Sequence, residues 1–410
     1  MEAKYKRLKF ACYASSMSMA VVTTMSPLLF STFTKMYGIS YSLIGLLVLI
    51  NFVTQLLIDL VFSFFSHKFN LPLTVKLTPV ICFVGLVVYA LSPVIFPHHI
   101  YAGICLGTII FSAASGLGEV LTSPVIASIP SDDPDREMSK LHSMYAWGVV
   151  GVVIISTVFL HFAGRENWAW LAVVLSVIPF VSAIAFLGTR IPSMQATGKA
   201  KDVKSIFKNS GVWLCVAIIF CGGSSECTMA QWSSVYLEQA LGIPKVWGDV
   251  FGMALFSVML GIGRTLYAKR GRSIEKVLLI STTCAALCYF VAAVSPFATV
   301  GLLACVVTGI ATAMLWPGTL IVATERYKEY GVLIFALMAS GGDLGASVGP
   351  QLVGLVTDAV ISAKGALSFA QSLGMSVEQL AMKAGMLVAM IFPLIAIPLN
   401  IKSIKKGTQK

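Results

Sequence analysis

The chain has 410 residues, of which 57% are hydrophobic and only 11% charged, where a soluble domain carries about 25% charged residues. Its mean hydropathy of +0.87 comes from long apolar runs, and each run needs about 20 residues to cross a hydrocarbon core roughly 30 Å thick. A dozen such runs use most of the length and leave no room for a soluble catalytic domain, since the longest polar stretch, Thr189 to Ser210, is about 20 residues.

Apolar runs bounded by Pro, Gly and charge predict twelve spans, at roughly 10–34, 43–66, 73–93, 99–127, 140–162, 168–188, 211–237, 247–268, 274–294, 297–323, 331–360 and 381–401. The first run is too long for a signal-peptide core and leads into further spans, so it is expected to remain as a helix. Between spans the bases alternate. Of the 29 Lys and Arg, 23 fall in the terminal segments and every second loop, among them Lys4 to Lys9, Lys68, Lys76, Arg190 to Lys208, Lys269 to Lys276 and Lys402 to Lys410. The opposite loops hold only Lys35, Arg165, Lys245, Lys364 and Lys383, and Arg264 is left at the inner end of span eight. The bias of basic residues toward the cytoplasm then places both termini there, in a multi-pass protein of the cell membrane. Topology accounts for the net charge of +11, and no nucleic-acid partner is needed. Contact of the basic segments with anionic lipid head groups is a generic consequence of the same bias.

The 9 cysteines lie in apolar runs with no CxxC pair, and the 5 histidines are scattered, so the expectation is packing residues and no metal. No GxGxxG, Walker or HExxH motif is present, which argues against an enzyme, a cofactor and ATP-driven transport. Ion gradients remain as the energy source.

The basic segment Arg190 to Lys208 separates two sets of six spans, giving expected units of 1–188 and 211–410 joined by a cytoplasmic linker at 189–210. Self-similarity between them is weak but sits at matching places. Span four contains Gly116-Leu-Gly-Glu-Val-Leu-Thr-Ser-Pro124 and span ten Gly309-Ile-Ala-Thr-Ala-Met-Leu-Trp-Pro317. Spans one and seven end in Tyr37-Gly38-Ile39 and Leu241-Gly242-Ile243.

Two six-helix halves on a basic linker resemble the major facilitator superfamily, which implies an all-α membrane fold of two pseudo-symmetric halves and alternating access. Within it, Glu119-Val-Leu-Thr-Ser-Pro124 is similar to the span-four Glu-Thr-Ala-Ala-Asn-Pro motif of the fucose:proton symporter family. Ser123 stands where that motif has Asn, and span one has no acid. His67-Lys68-Phe69-Asn70 after span two keeps a cation but not the acid of the usual facilitator loop. Span four lacks an antiporter-type Arg, and span five has only Gly148 and Gly151 of a drug-antiporter glycine run.

An acid near the bilayer centre is costly, and by default marks function. Glu119 in span four and Glu226 in span seven are the candidate proton-coupling residues, in spans that the resemblance implies line a central cavity, with no base expected at their depth. Asp343, in the Gly-rich segment Ser340 to Ala346 of span eleven, is either an ion site or a packing acid paired with Arg264. Asp59 in span two is an alternative partner for Arg264, and these three are the candidate gating residues. Asp249 and Asp358, near span ends, are expected to cap or support structure. Asn51 and Gln55, one turn apart on span two, with His142, Tyr145, Trp147, Gln231, Trp232 and Trp316, are the candidate solute-binding set, since hydroxylated solutes are held by a few polar groups and an aromatic face. Trp168, Trp170, Trp213 and Trp247 read as interfacial anchors.

The expected function is secondary active transport of a small polar solute, a sugar first, with proton symport and with sodium as the other coupling ion. The protein is expected to act as a monomer. The alternatives are an efflux antiporter for drugs or metabolites, or a transporter of lipids or amphiphiles.

Overall fold

A computed structural model describes residues 2–192, 203–270, 273–330 and 332–407. Residues 193–202 of the expected linker, including Lys199 and Lys201, lie outside the described residues, as does Lys410. Among the described residues the secondary structure is helical throughout, and 12 helices are long and apolar enough to cross a membrane.

These spans are Tyr5–Tyr37, Tyr41–Phe62, Leu71–Ala90, Ile100–Ser128, Arg136–Ala163, Arg165–Phe186, Ser210–Gln239, Lys245–Lys269, Ile274–Val294, Ala298–Arg326, Leu333–Ile361 and Val377–Lys405. All twelve coincide with expected runs, to within a few residues at most ends. Three depart from a plain helix. Span eight opens with a π-helical turn, Gly248–Ala254. Span ten breaks between Thr312 and Leu315, ahead of Pro317, and span twelve breaks at Met390, ahead of Pro393. Proline cannot donate to the carbonyl four residues back, so a break on its N-terminal side is the expected response.

The chain divides into two compact units. The first holds residues 1–32 and 53–199, the second 33–52 and 200–410. The end of span one and the start of span two thus group with the later spans.

In the first unit, spans three and four approach until a Cβ on Gly85 would stand 2.5 Å from the Phe111 amide and one on Gly107 would stand 2.6 Å from Tyr89 Cβ. Tyr89 is fully buried there, against the Trp168 edge at 5.7 Å and the Ser26 hydroxyl at 3.2 Å. Trp168 is thus a core residue and not an interfacial anchor. Arg7 donates to the Ala185 and Ile184 carbonyls at the end of span six, at 3.0 and 2.9 Å. Glu137 gathers Lys9, Lys140 and Tyr13 at 3.1, 2.8 and 2.8 Å, binding span five to span one.

The second unit is built on glycine contacts among spans seven, ten and eleven. Cβ atoms on Gly342, Gly345 and Gly349 would meet the Trp316 ring, the Phe220 carbonyl and the Thr228 hydroxyl at 2.5, 2.0 and 2.4 Å. Ser224 adds a hydrogen bond to the Gly345 carbonyl at 2.9 Å. Small residues let membrane helices approach closely where no hydrophobic force pulls them together. The hairpin 33–52 joins this unit through a Lys35–Glu238 ion pair at 2.7 Å and through Asp358, which accepts from the Tyr41 and Ser42 amides at 3.0 and 2.7 Å.

Candidate functional site

The first unit brings together two acids that the sequence reading gave separate roles. On span four, a Cβ at Gly116 would lie 3.2 Å from the Gln55 Cα and carbonyl and 3.1 Å from Ile58 of span two. Spans two and four run in the same direction, so one turn beyond this crossing Asp59 and Glu119 face each other, within electrostatic reach. Asp59 is buried and its Oδ1 has no hydrogen-bond partner, whereas Glu119 is exposed on its unit. Neither has an ion-pair partner among the described residues.

The second unit corrects the expectation that no base reaches the depth of Glu226. Arg264 Nη2 stands 3.2 Å from Glu226 Oε1. The sequence explains why the arginine is held there. Pro317 has no N–H to give the Ala313 carbonyl four residues earlier, span ten breaks at this point, and Arg264 Nε donates to that carbonyl at 3.2 Å. Gly263 makes the reach short, since a Cβ there would lie 2.5 Å from Ala313 Cβ. The carboxylate that Arg264 contacts is therefore Glu226, in place of the expected Asp343 or Asp59.

Asp343 is buried close by. The Cys227 thiol is within electrostatic reach of Glu226, Asp343 and Arg264 alike. The Trp316 ring fills the slot between Gly223 of span seven and Gly342 of span eleven, beside Asp343.

Of the expected solute-binding set, Gln55 lies at the crossing beside Asp59 and Glu119, and Trp316 lies beside Asp343. Trp232 is fully buried, with its indole N–H on the Pro350 carbonyl at 3.0 Å and its ring 6.3 Å from Tyr41, so packing is its role. Gln231, Asn51 and Gln55 are buried polar residues. Tyr145 shares a hydrogen bond of 3.1 Å with Thr23, joining spans five and one. His142 is exposed, and Trp147, at 67% exposure, stands away from the core of its unit.

Sequence reasoning missed the Ala313 carbonyl, although Pro317 was its signal. It also missed a buried polar cluster at the start of span eight, where Lys245 pairs with Asp249 and Ser234 bonds to both. The i, i+4 spacing of an acid and a base was its signal. Among the described residues no group of His, Cys, Asp and Glu is placed to hold a metal ion.

Comparison with known proteins places this geometry in context. The family model described as Major Facilitator Superfamily matches residues 11–350. No curated protein matches the chain by sequence. Among solved structures, a bacterial homolog of the human lysosomal transporter Spinster is 13% identical, with a TM-score of 0.81, over 99% of this chain and 98% of its own. A D-xylose-proton symporter is 12% identical, with a TM-score of 0.74, over 97% and 99%. The fucose:proton symporter of E. coli is 13% identical, with a TM-score of 0.58, over 96% and 99%. At such identities the likeness is one of fold.

Proposed function

Because the chain belongs to the major facilitator superfamily, and is accordingly a secondary transporter, we propose that it moves a small polar solute, a sugar in the first instance, together with protons. The observation that carries the reading is the Asp59–Glu119 pair. Two neighbouring carboxyls with no cation to balance them cannot both hold charge in an apolar slab, so the pair retains a proton. Exposure of Glu119 gives that proton a way on and off. The names of two of the structural relatives, a xylose and a fucose symporter, support protons and sugars as the pairing. In this reading the protein works as a monomer in the cell membrane, and the bias of its basic segments supports cytoplasmic termini.

The test is Glu119→Gln in proteoliposomes. The amide removes the titration and keeps the shape, so accumulation driven by a pH gradient is lost while equilibrium exchange of solute persists. Unchanged accumulation refutes the proton role, and replacing the pH gradient by a sodium gradient tests the other ion directly.

A further inference from the structure

A guanidinium offers five N–H donors in a planar fork, and one carboxylate uses two of them at most. Arg264 gives Nε–H to the Ala313 carbonyl and Nη2–H to Glu226 Oε1, each at 3.2 Å. Its Nη1 end makes no hydrogen bond among the described residues, and the side chain keeps 46% of its surface exposed. Charged surface on a membrane span faces water or protein, not hydrocarbon. The exposure is not that of a side chain stretching to the membrane surface, because Arg264 is turned toward Glu226, in the middle of span seven.

We propose that Arg264 binds an anionic group of the transported solute, so that the solute is a hydroxylated organic acid of the sugar-acid type and not a neutral sugar. The inference rests on the symport reading above and narrows its substrate class. The free Nη1–Nη2 edge matches the two oxygens of a carboxylate, the geometry in which arginine is most selective.

Charge balance ties this binding to a proton. The titratable groups about Glu226 are Arg264 from span eight, Asp343 from span eleven and Cys227 on its own span. Tyr289 of span nine is engaged with the Ser225 carbonyl at 2.8 Å. One cation balances one anion, so a solute carboxylate joins Arg264 without adding net charge only when Glu226 takes up a proton. The place for it is Oε2, a buried oxygen with no hydrogen-bond partner. Solute anion and the Glu226 proton then cross together without net charge, so the charge that the cycle moves is the proton of the Asp59–Glu119 pair.

The experiment uses the full chain in proteoliposomes with labelled galacturonate, glucuronate and gluconate beside galactose and glucose. A pH gradient is expected to accumulate at least one acid about 10-fold or more over its neutral parent, and an imposed potassium diffusion potential, negative inside, to speed its uptake. Arg264→Gln is expected to abolish that uptake and Arg264→Lys to keep part of it. The wild-type comparison of acid and parent stands even if the glutamine variant does not fold. Glu226→Gln, which mimics the protonated acid, is expected to bind the sugar acid with an affinity that no longer varies with pH, read as thermal stabilisation. Accumulation of the neutral sugars and not the acids overturns this inference and leaves the symport reading intact, as does acid uptake that survives Arg264→Gln. No pH-driven accumulation of any of the five solutes overturns both.

Discussion

Asp358→Ala is expected to loosen the start of span two. The first amides of a helix have no partner within it, and here the assignments can be followed one by one. Ile44 donates to the Ser40 carbonyl at 3.0 Å and Leu43 to the Ser40 hydroxyl at 3.4 Å, while Tyr41 and Ser42 donate to the two oxygens of Asp358 at 3.0 and 2.7 Å. The carboxylate thus does the work of a cap from another span, and its charge opposes the positive end of the helix dipole. Loss of a side-chain cap costs about 0.5–2 kcal/mol, and a charge at this end contributes about 0.3–1 kcal/mol. A loss of 1–2 kcal/mol multiplies the open population roughly 5- to 30-fold. Hydrogen exchange read by mass spectrometry on a peptide covering 40–46 is expected to speed up by that factor in Asp358→Ala. Asp358→Asn, with one acceptor oxygen left, is expected to fall between. A span-three peptide, far from the clamp in sequence and in the other unit, serves as the control. Exchange at 40–46 equal to wild type in the alanine variant refutes the capping argument, and equal acceleration in span three shows global loosening instead.

Two further predictions concern packing. Gly345→Ala puts a Cβ 2.0 Å from the Phe220 carbonyl oxygen, which spans seven and eleven can relieve only by moving apart, so the unfolding temperature in detergent is expected to fall by the equivalent of about 1–3 kcal/mol. Gly261→Ala on span eight, where nothing lies within 4 Å, is expected to be neutral or to stabilise by up to about 1 kcal/mol; equal effects at the two positions contradict the packing reading. At the Lys245–Asp249 pair, either Lys245→Met or Asp249→Asn takes the counter-charge from a buried ion and is expected to cost about 3–5 kcal/mol, whereas the double variant recovers most of the loss in the same melting assay. A double variant as unstable as the worse single one refutes that account.

The spans were legible in the sequence because a membrane filters by length and apolarity, and all twelve runs answer to one period of about 20 residues. Asp358 was legible as a capping acid, since a carboxylate near a span end has few other uses, yet its partner amides lie more than 300 residues away and no local pattern announces them. The grouping of 33–52 with the later spans was hidden for the same reason. The acids Glu119, Glu226, Asp59 and Asp343 were found by their cost. Their pairing was not, because it depends on which glycines let two spans close: Gly116 sets Asp59 beside Glu119, and Gly263 brings Arg264 to span ten. The aromatic candidates fared differently, since a ring such as that of Trp232 satisfies a packing slot and a solute face with the same atoms.

One chain of causes links the second unit's backbone to its chemistry. Pro317 deprives a carbonyl of its donor, and in an apolar slab that oxygen must find another. Arg264 supplies it with Nε, and this bond fixes the guanidinium so that one Nη reaches Glu226 and the other stays open. Had residue 317 carried an N–H, Arg264 would be held by a single bond to Glu226, free to swing toward the membrane surface as long cations near span ends do. The proline in span ten therefore acts as the element that orients a cation. The corresponding proline in span four, Pro124, has no such cation within its unit's acid pair, and there two carboxyls stand alone. The repeat thus preserves a backbone device in both halves while only the second uses it to hold a charge.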